Sequence, residues 1–448
     1  MSVDRSLEAA LEFIATARGR ARGVFFGWWI VVGAIIFQTL QTGLLQQAYG
    51  TYAVVLHNEF GWSTTILSVA YALQSVLTGL VGPLQGWMID RFSPRAVMRG
   101  GIVLFGFGFM ALSRIDSLTG FFILILITSL GSTLAGFMTV TTVVVSWFER
   151  RRSLALAMTQ IGLSVAGLIA PIVAWSLSTN GWRATAFASG LIVLVVALPL
   201  TRMLHRTPEE VGLRPDGDSP RPLLQESHSV PIEARQATFT AREALRTRAF
   251  WFISIGHALA LFVVTAVTVH LVLHLVNDLG YTVGQAADVI ALMTGIMIFG
   301  RFAGGIMGDR FDKRYISAGA MFGHAFGLIM LAYANSFWMV ALFAIAHGLA
   351  WGIRGPMMQA IRADYFGRES FAKVMGFSST IIMAGTVGGP LIAGIMADHF
   401  GNYTAGFTVL AGFAVVGSVF FLLAKRPLPP AHAEQRSVAQ RAPATSLT

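Results

Sequence analysis

Gly86-x-x-x-Asp90-Arg91-Phe92-Ser93-Pro94-Arg95 returns 219 residues later as Gly305-x-x-x-Asp309-Arg310-Phe311-Asp312-Lys313-Arg314. Each copy closes an apolar run of about twenty residues, long enough to cross a hydrocarbon core of roughly 30 Å. Other matches keep the same order along both halves. Gly61-Trp62-Ser63 pairs with Gly280-Tyr281-Thr282, Pro171 with Pro390, Trp147-Phe148 with Tyr365-Phe366, and 181–187 with 401–407. A repeat of this length, with six apolar runs in each copy, predicts two like-oriented six-helix halves about an axis normal to the membrane.

Working outward, twelve spans are expected near 25–49, 63–86, 97–113, 119–146, 155–177, 184–204, 250–275, 285–307, 315–334, 337–360, 371–395 and 404–424. The composition agrees, with 55% hydrophobic and only 12% charged residues, where a soluble chain carries about a quarter charged. No cysteine is present, which excludes disulfides, thiolate chemistry and Cys-based metal sites. Residues 205–247 hold Pro208, Pro215, Pro220, Pro222 and Pro231 among many charges and form a linker. The chain therefore divides into an N-terminal segment 1–22, a six-helix domain 23–204, the linker 205–247, a second six-helix domain 248–425 and a tail 426–448. The first segment carries Asp4, Glu8 and Glu12 and is no cleavable signal peptide. It is either a surface helix using Leu7, Leu11 and Ile14 or a disordered tail.

Of 32 basic residues, 28 fall in the termini, the linker and the loops on one side of the predicted topology. Arg114 and Arg183 fall on the other side, and Arg301 and Arg354 within spans. Positive charge stays in the cytoplasm, so both termini and the linker are placed there. The net charge of +10 thus reflects orientation in a lipid bilayer, and no nucleic-acid partner is expected. Arginine outnumbers lysine by 29 to 3, which points to a GC-rich bacterial genome, and a multi-pass helical protein of such a source is expected in the inner membrane.

Arg301 lies eight residues before Asp309, about 12 Å into the membrane. An unpaired cation there costs at least about 2.5–3.5 kcal/mol, and such residues usually face a cavity. Its neighbours one turn away are Met297 and Gly305, and all 22 acidic residues fall in loops, helix ends or tails. The missing negative charge then arrives with the cargo, and a guanidinium grips a carboxylate bidentately. The competing role is a snorkelling or structurally paired arginine. Arg354 is either a second anion contact or a partner for Asp309 at the inner gate. His347, seven residues earlier on the same face, either carries a coupled proton or is a hydrogen-bonded packing residue. Gln41 and Gln46, on the polar face of span 1, and Tyr71 in span 2 are further candidate contacts, since amides are costly in lipid. His270 and His274 share the i,i+4 spacing of a metal half-site, but no further ligands lie near them in sequence and no metal is assigned. Asp90, Arg91, Arg95, Asp309, Arg310 and Arg314 are expected to form a reversible ion-pair network that gates one end of the bundle, the alternative role being to anchor the topology by positive charge. Gly82-x-x-x-Gly86, Gly300-x-x-x-Gly304-x-x-x-Gly308, Gly348-x-x-x-Gly352 and Gly385-x-x-x-Gly389 would let helices approach closely.

The doubled loop resembles the signature of the major facilitator superfamily, over nearly the whole chain from about 25 to 425. Within it, the chain is similar to the monocarboxylate transporter and oxalate/formate exchanger branch. The residues that carry this likeness are Gly27-Trp28-Trp29, Phe148-x-x-Arg151-Arg152-x-Leu154-Ala155 leading to Gly162 and Gly167, and Arg301 four residues before Gly305. The resemblance implies an all-α fold of twelve transmembrane helices in two pseudo-symmetric halves, and alternating access for a small organic anion. It also implies that Arg301 binds the substrate carboxylate. The chain departs from the family at Ser93-Pro94, usually glycine, and at Gln46-Gln47, where many animal members have a lysine. It departs again at Met297, where they have an aspartate, and in span 11, which lacks the exchangers' lysine. Neither proton symport nor exchange is therefore selected. A monomer without a cofactor is expected. Drug efflux and a non-transporting carboxylate sensor are the alternative functions; no enzyme motif such as His-Glu-x-x-His or Gly-x-Ser-x-Gly is present.

Overall fold

The computed structural model describes residues 24–217 and 239–428. The 1–22 segment, the middle of the linker and the end of the tail lie outside the described residues. Among those described, twelve long helices follow one another: α1 Phe26–Phe60, α2 Thr64–Phe92, α3 Pro94–Leu112, α4 Leu118–Trp147, α5 152–180 and α6 182–203. The second half repeats them as α7 Arg248–Asp278, α8 Val283–Arg310, α9 Lys313–Ala332, α10 Phe337–Phe366, α11 Phe371–Phe400 and α12 Thr404–Leu423.

Local chemistry explains the repeated motifs. Gly61 and Gly280 both hold a positive φ, of 68° and 72°, which a residue without Cβ adopts at little cost. Two residues on, Ser63 and Thr282 accept hydrogen bonds from Ile66 N and Gln285 N and start α2 and α8. The Gly-aromatic-Ser/Thr motif is thus a stop and a restart, used once in each half. Gly181 (φ 78°) and Gly401 (φ 75°) are also equivalent. Gly181 makes the turn between α5 and α6 inside one continuous helical stretch.

Several helices outrun the apolar segments that announce them. α1 continues through a π-helical stretch, Thr42–Gln47, to Phe60, and α10 continues to Phe366. Polar turns beyond the hydrocarbon remain helical because their backbone bonds are already satisfied along the axis. Each half buries its own apolar core, around Phe105 and Trp147 in the first and Phe343 and Phe407 in the second. The halves meet chiefly along α2 with α11 and α5 with α8. At the offset of 219 residues these two interfaces are images of one another. The end of the linker docks back at Phe239, whose N–H donates to Phe366 O at 3.2 Å.

Candidate functional site

Close contacts between the halves concentrate toward the end that carries the signature loops. On α2, a Cβ built at Gly82 or Gly86 would run into Ser379 or the carbonyl of Ala372 on α11. On α8, Gly305 and Gly308 lie against Leu154 and Ser153 of α5. The Gly300/Gly304, Gly348/Gly352 and Gly385/Gly389 pairs instead pack helices inside the second half. Only some of the small-residue stripes therefore belong to the surface between the halves.

The signature carboxylates hold that surface at its loop end, with partners the sequence did not indicate. Asp90 pairs with Lys373 of α11 at 3.1 Å. Asp309 accepts from the N–H groups of Ser153 (2.7 Å) and Leu154 (3.2 Å), at the start of α5. A carboxylate at a helix N-terminus satisfies free N–H donors and meets the positive end of the dipole. Arg354 does not pair with Asp309. Arg95 donates to the carbonyls of Thr201, Arg202 and Leu204 within its own half. Arg314 pairs with its neighbour Asp312, and Arg91 and Arg310 are exposed. Two further ties cross the interface. Asp364 takes both Arg152 (2.5 Å) and Lys313 (2.6 Å), and Arg368 pairs with Glu209 of the linker at 2.9 Å. Burial raises the Glu209 carboxyl, but its backbone hydrogen bond and Arg368 outweigh this and hold it below the usual range.

Deeper along the same interface lies Arg301, 4% exposed. Its Nη1 donates across the interface to the backbone carbonyl of Gln160 and to Ser164 Oγ (2.6 Å), both on α5. Nη2 faces the Met297 thioether at 3.8 Å. Among the described residues no carboxylate pairs with it. Gln160 also reaches α10: its Nε2 lies 3.5 Å from Gln359 Oε1, and its side chain abuts Gly355. At the repeat offset Arg301 corresponds to Gly82 and Gln160 to Ser379, and Gly82 and Ser379 touch in the other interface. Two equivalent crossings thus hold glycine against serine on one side and a guanidinium against a glutamine on the other.

Arg354 is fully buried on α10, and its Nε and Nη1 have no hydrogen-bond partner among the described residues. His347 is buried two turns away with its ring against His324 of α9. Gln41 donates to Ser132 O and Oγ on α4, so it serves packing within the first half. Gln46 is exposed; Tyr71 is exposed and lies beside Tyr49. These three are not brought together with Arg301. His270 and His274 diverge, one to Tyr403 and Pro390 O, the other to Asp278 and Leu331 O.

Among the buried groups that sequence reasoning missed are Arg362, Arg152, Gln160 and His324. Arg362, counted as a loop residue, is inside α10 and donates to Met358 O and Ser378 Oγ and lies 3.3 Å from His257. Its helix runs a turn and a half past the apolar segment. Arg152 hid in an arginine run that reads as a topology signal. Gln160 could have been found by the argument applied to span 1, that an amide in lipid needs a partner. An apolar cavity of about 40 Å³ lies inside the first half, lined by Leu45, Tyr49, Phe109 and Trp182 among others. A polar one of about 220 Å³ opens at the signature loop beside Lys313, Asp364 and Arg426. Neither reaches Arg301, which is sealed in this conformation.

A sequence profile described as the Major Facilitator Superfamily matches residues 24–323 and 253–447. Monocarboxylate transporter 13 of Bos taurus is 30% identical over 402 residues, 88% of each chain. The oxalate:formate antiporter of Oxalobacter formigenes is 25% identical over 367 residues, 78% of this chain and 80% of that one. Among solved structures, the human organic anion transporter MFSD10 (TETRAN) superposes with a TM-score of 0.66 at 15% identity, over 88% of this chain and 98% of that one. The Escherichia coli fucose:proton symporter FucP gives 0.66 at 15%, over 89% and 98%. These structural likenesses speak to the fold.

Proposed function

This chain belongs to the major facilitator superfamily, and from that premise we propose that it carries a small organic anion with a carboxylate across the membrane by alternating access. One observation carries the reading: a buried guanidinium at the surface between the halves, held by a carbonyl and a hydroxyl of the opposite half and by no carboxylate among the described residues. The names of two relatives point the same way, since one is a monocarboxylate transporter and the other an oxalate:formate antiporter.

The signature-loop end is assigned to the cytoplasm from its positive charge, so the contacts described belong to a state closed on that side. When α5 parts from α8, Arg301 loses Gln160 O and Ser164 Oγ, and its N–H fork is free for a carboxylate. Cargo and protein then compete for the same donors, and a ligand with different affinities for two states shifts their balance. Asp90, Asp309, Asp364 and Glu209 form the cytoplasmic closure, which must break and re-form in each cycle. Arg354 is a second candidate for the anion, and transport runs either with a proton or by exchange. The 23–204 and 248–425 domains are the two bodies that rock. The protein works as a monomer in the inner membrane.

Proteoliposomes holding the purified protein should accumulate radiolabelled pyruvate or lactate under an inward proton gradient or against preloaded carboxylate. Arg301→Ala should cut uptake at least about tenfold, since a charge-assisted hydrogen bond contributes about 1.5–3 kcal/mol. Uptake by that variant at the unaltered rate would remove the substrate assignment. A panel of mono- and dicarboxylates would define the chain length accepted.

A further inference from the structure

Two imidazoles meet in the middle of the second half. His324 of α9 and His347 of α10 are fully buried, with their Nδ1 atoms 3.2 Å apart and ring centroids 4.5 Å apart. A hydrogen bond between two such nitrogens needs one to carry a proton and the other a lone pair. The donor ring then has a bare lone pair on Nε2, and the acceptor ring carries its proton there. Neither Nε2 has a hydrogen-bond partner among the described residues. A buried polar atom left unpaired is costly, and here one of the two is a proton acceptor.

The surroundings fix the sign of the field. Phe343 and Trp351 flank His347. On the same helix two turns along is the buried guanidinium of Arg354, whose Nε and Nη1 have no hydrogen-bond partner among the described residues. Of the elements packed on α9 and α10, α12 brings no ionisable side chain. From α8 come Arg301, engaged with α5, Asp309, bound to the start of α5, and Asp288, which is exposed. From α7 come His257, against Arg362, and His274, tied to Asp278 and Leu331 O. Arg152 of α5 and Lys373 of α11 are held by Asp364 and Asp90 at the cytoplasmic closure. The rings are therefore next to a cation and, among the described residues, to no carboxylate. Gly355, adjacent to Arg354 in sequence, abuts Gln160, the residue whose carbonyl takes Arg301.

We propose that the His324–His347 pair binds the proton that travels with the anion. The proton comes from bulk water on one side, adds to the free Nε2 lone pair without breaking any bond, and leaves to water on the other. Adding it makes an imidazolium beside Arg354, two cations in low dielectric, which is unfavourable until a negative charge arrives. An anion taken up by Arg301 once α5 parts from α8 supplies that charge. Proton and anion thus favour each other's binding, and the favour is reciprocal. This proposal rests on the carboxylate reading and selects symport within it.

Calorimetry of pyruvate binding to the full chain in lipid nanodiscs, in buffers of different ionisation enthalpy, tests it. Wild type should take up about one proton per anion, and its Kd should weaken up to about tenfold per pH unit as pH rises. His324→Gln and His347→Gln should each bind pyruvate with a Kd that no longer follows pH and with no proton taken up. Wild-type binding without proton uptake, or the wild-type pH slope in either variant, would overturn the proton site and leave the carboxylate reading standing. Wild-type protein that binds no carboxylate would overturn both. The wild-type stoichiometry and the second variant decide the matter if one variant does not fold.

Discussion

Arg301 and Arg152 are both buried guanidiniums at the surface between the halves, yet they are held in opposite ways. Arg152 has a carboxylate, Asp364, shared with Lys313. Arg301 has a carbonyl and a hydroxyl. Removing one partner of a buried ion pair leaves an uncompensated charge and typically costs about 3–5 kcal/mol. Asp364→Ala should therefore lower the melting temperature of purified protein markedly. Arg301→Met removes a desolvated cation that has no carboxylate partner among the described residues and leaves only a carbonyl and a hydroxyl behind. Its melting temperature should fall by no more than about 2 °C, less than about 1 kcal/mol in a unit of this size. A large loss there would make Arg301 structural glue. The contrast was half legible in the sequence. An isolated arginine in an apolar run announces itself, as Arg301 and Arg354 do, whereas Arg152 sits in Arg150-Arg151-Arg152. Arg362 lies beyond the apolar run, where only the helix length shows that it is buried.

At the scale of elements, the repeat told more than the individual motifs. It paired α2 with α8 and α5 with α11, so one interface implied the other. It could not say that Asp90 would meet a lysine while Asp309 meets two backbone N–H groups. At the same offset Lys373 corresponds to Leu154, and a side-chain partner in one half is replaced by a helix N-terminus in the other. Nor could it separate the glycines of the interface between the halves from those that pack a half, since both repeat every four residues. Gly86 belongs to the first kind, with Ala372 carbonyl at its Cβ position. Gly86→Leu should hold α2 away from α11. The chain has no cysteine, so spin labels can be placed at Phe92→Cys and Glu369→Cys, both exposed at the loop end. Pulsed electron resonance should show a short distance dominating in the otherwise unaltered protein and a longer one in Gly86→Leu. The same distribution in both would remove Gly86 from the closure.

For the whole molecule, the fold was legible because the membrane leaves so few choices: apolar runs of span length must be helices, and their repeat sets the topology. Which end is closed was not legible, since both states share one sequence. That end is held by polar contacts among helix ends and the linker, Asp90, Asp309, Asp364 and Glu209 among them. The Asp90–Lys373 and Glu209–Arg368 pairs are part-exposed, and such contacts are individually small, so breaking either should tilt a balance rather than unfold the protein. Asp90→Asn with the same label pair should raise the open-end population several-fold, a shift of about 1 kcal/mol. An unaltered distance distribution would place the restraint elsewhere.

The central claim is that cargo supplies the negative charge Arg301 lacks, and equilibrium binding tests it with transport set aside. Pyruvate titrated into wild-type protein in nanodiscs should give a saturable isotherm with one site. Arg301→Met, shown folded by its melting temperature, should give none until concentrations about a hundredfold higher, the loss of about 2.7 kcal/mol expected for a buried charged contact. An isotherm from Arg301→Met that overlays the wild-type curve would contradict the account.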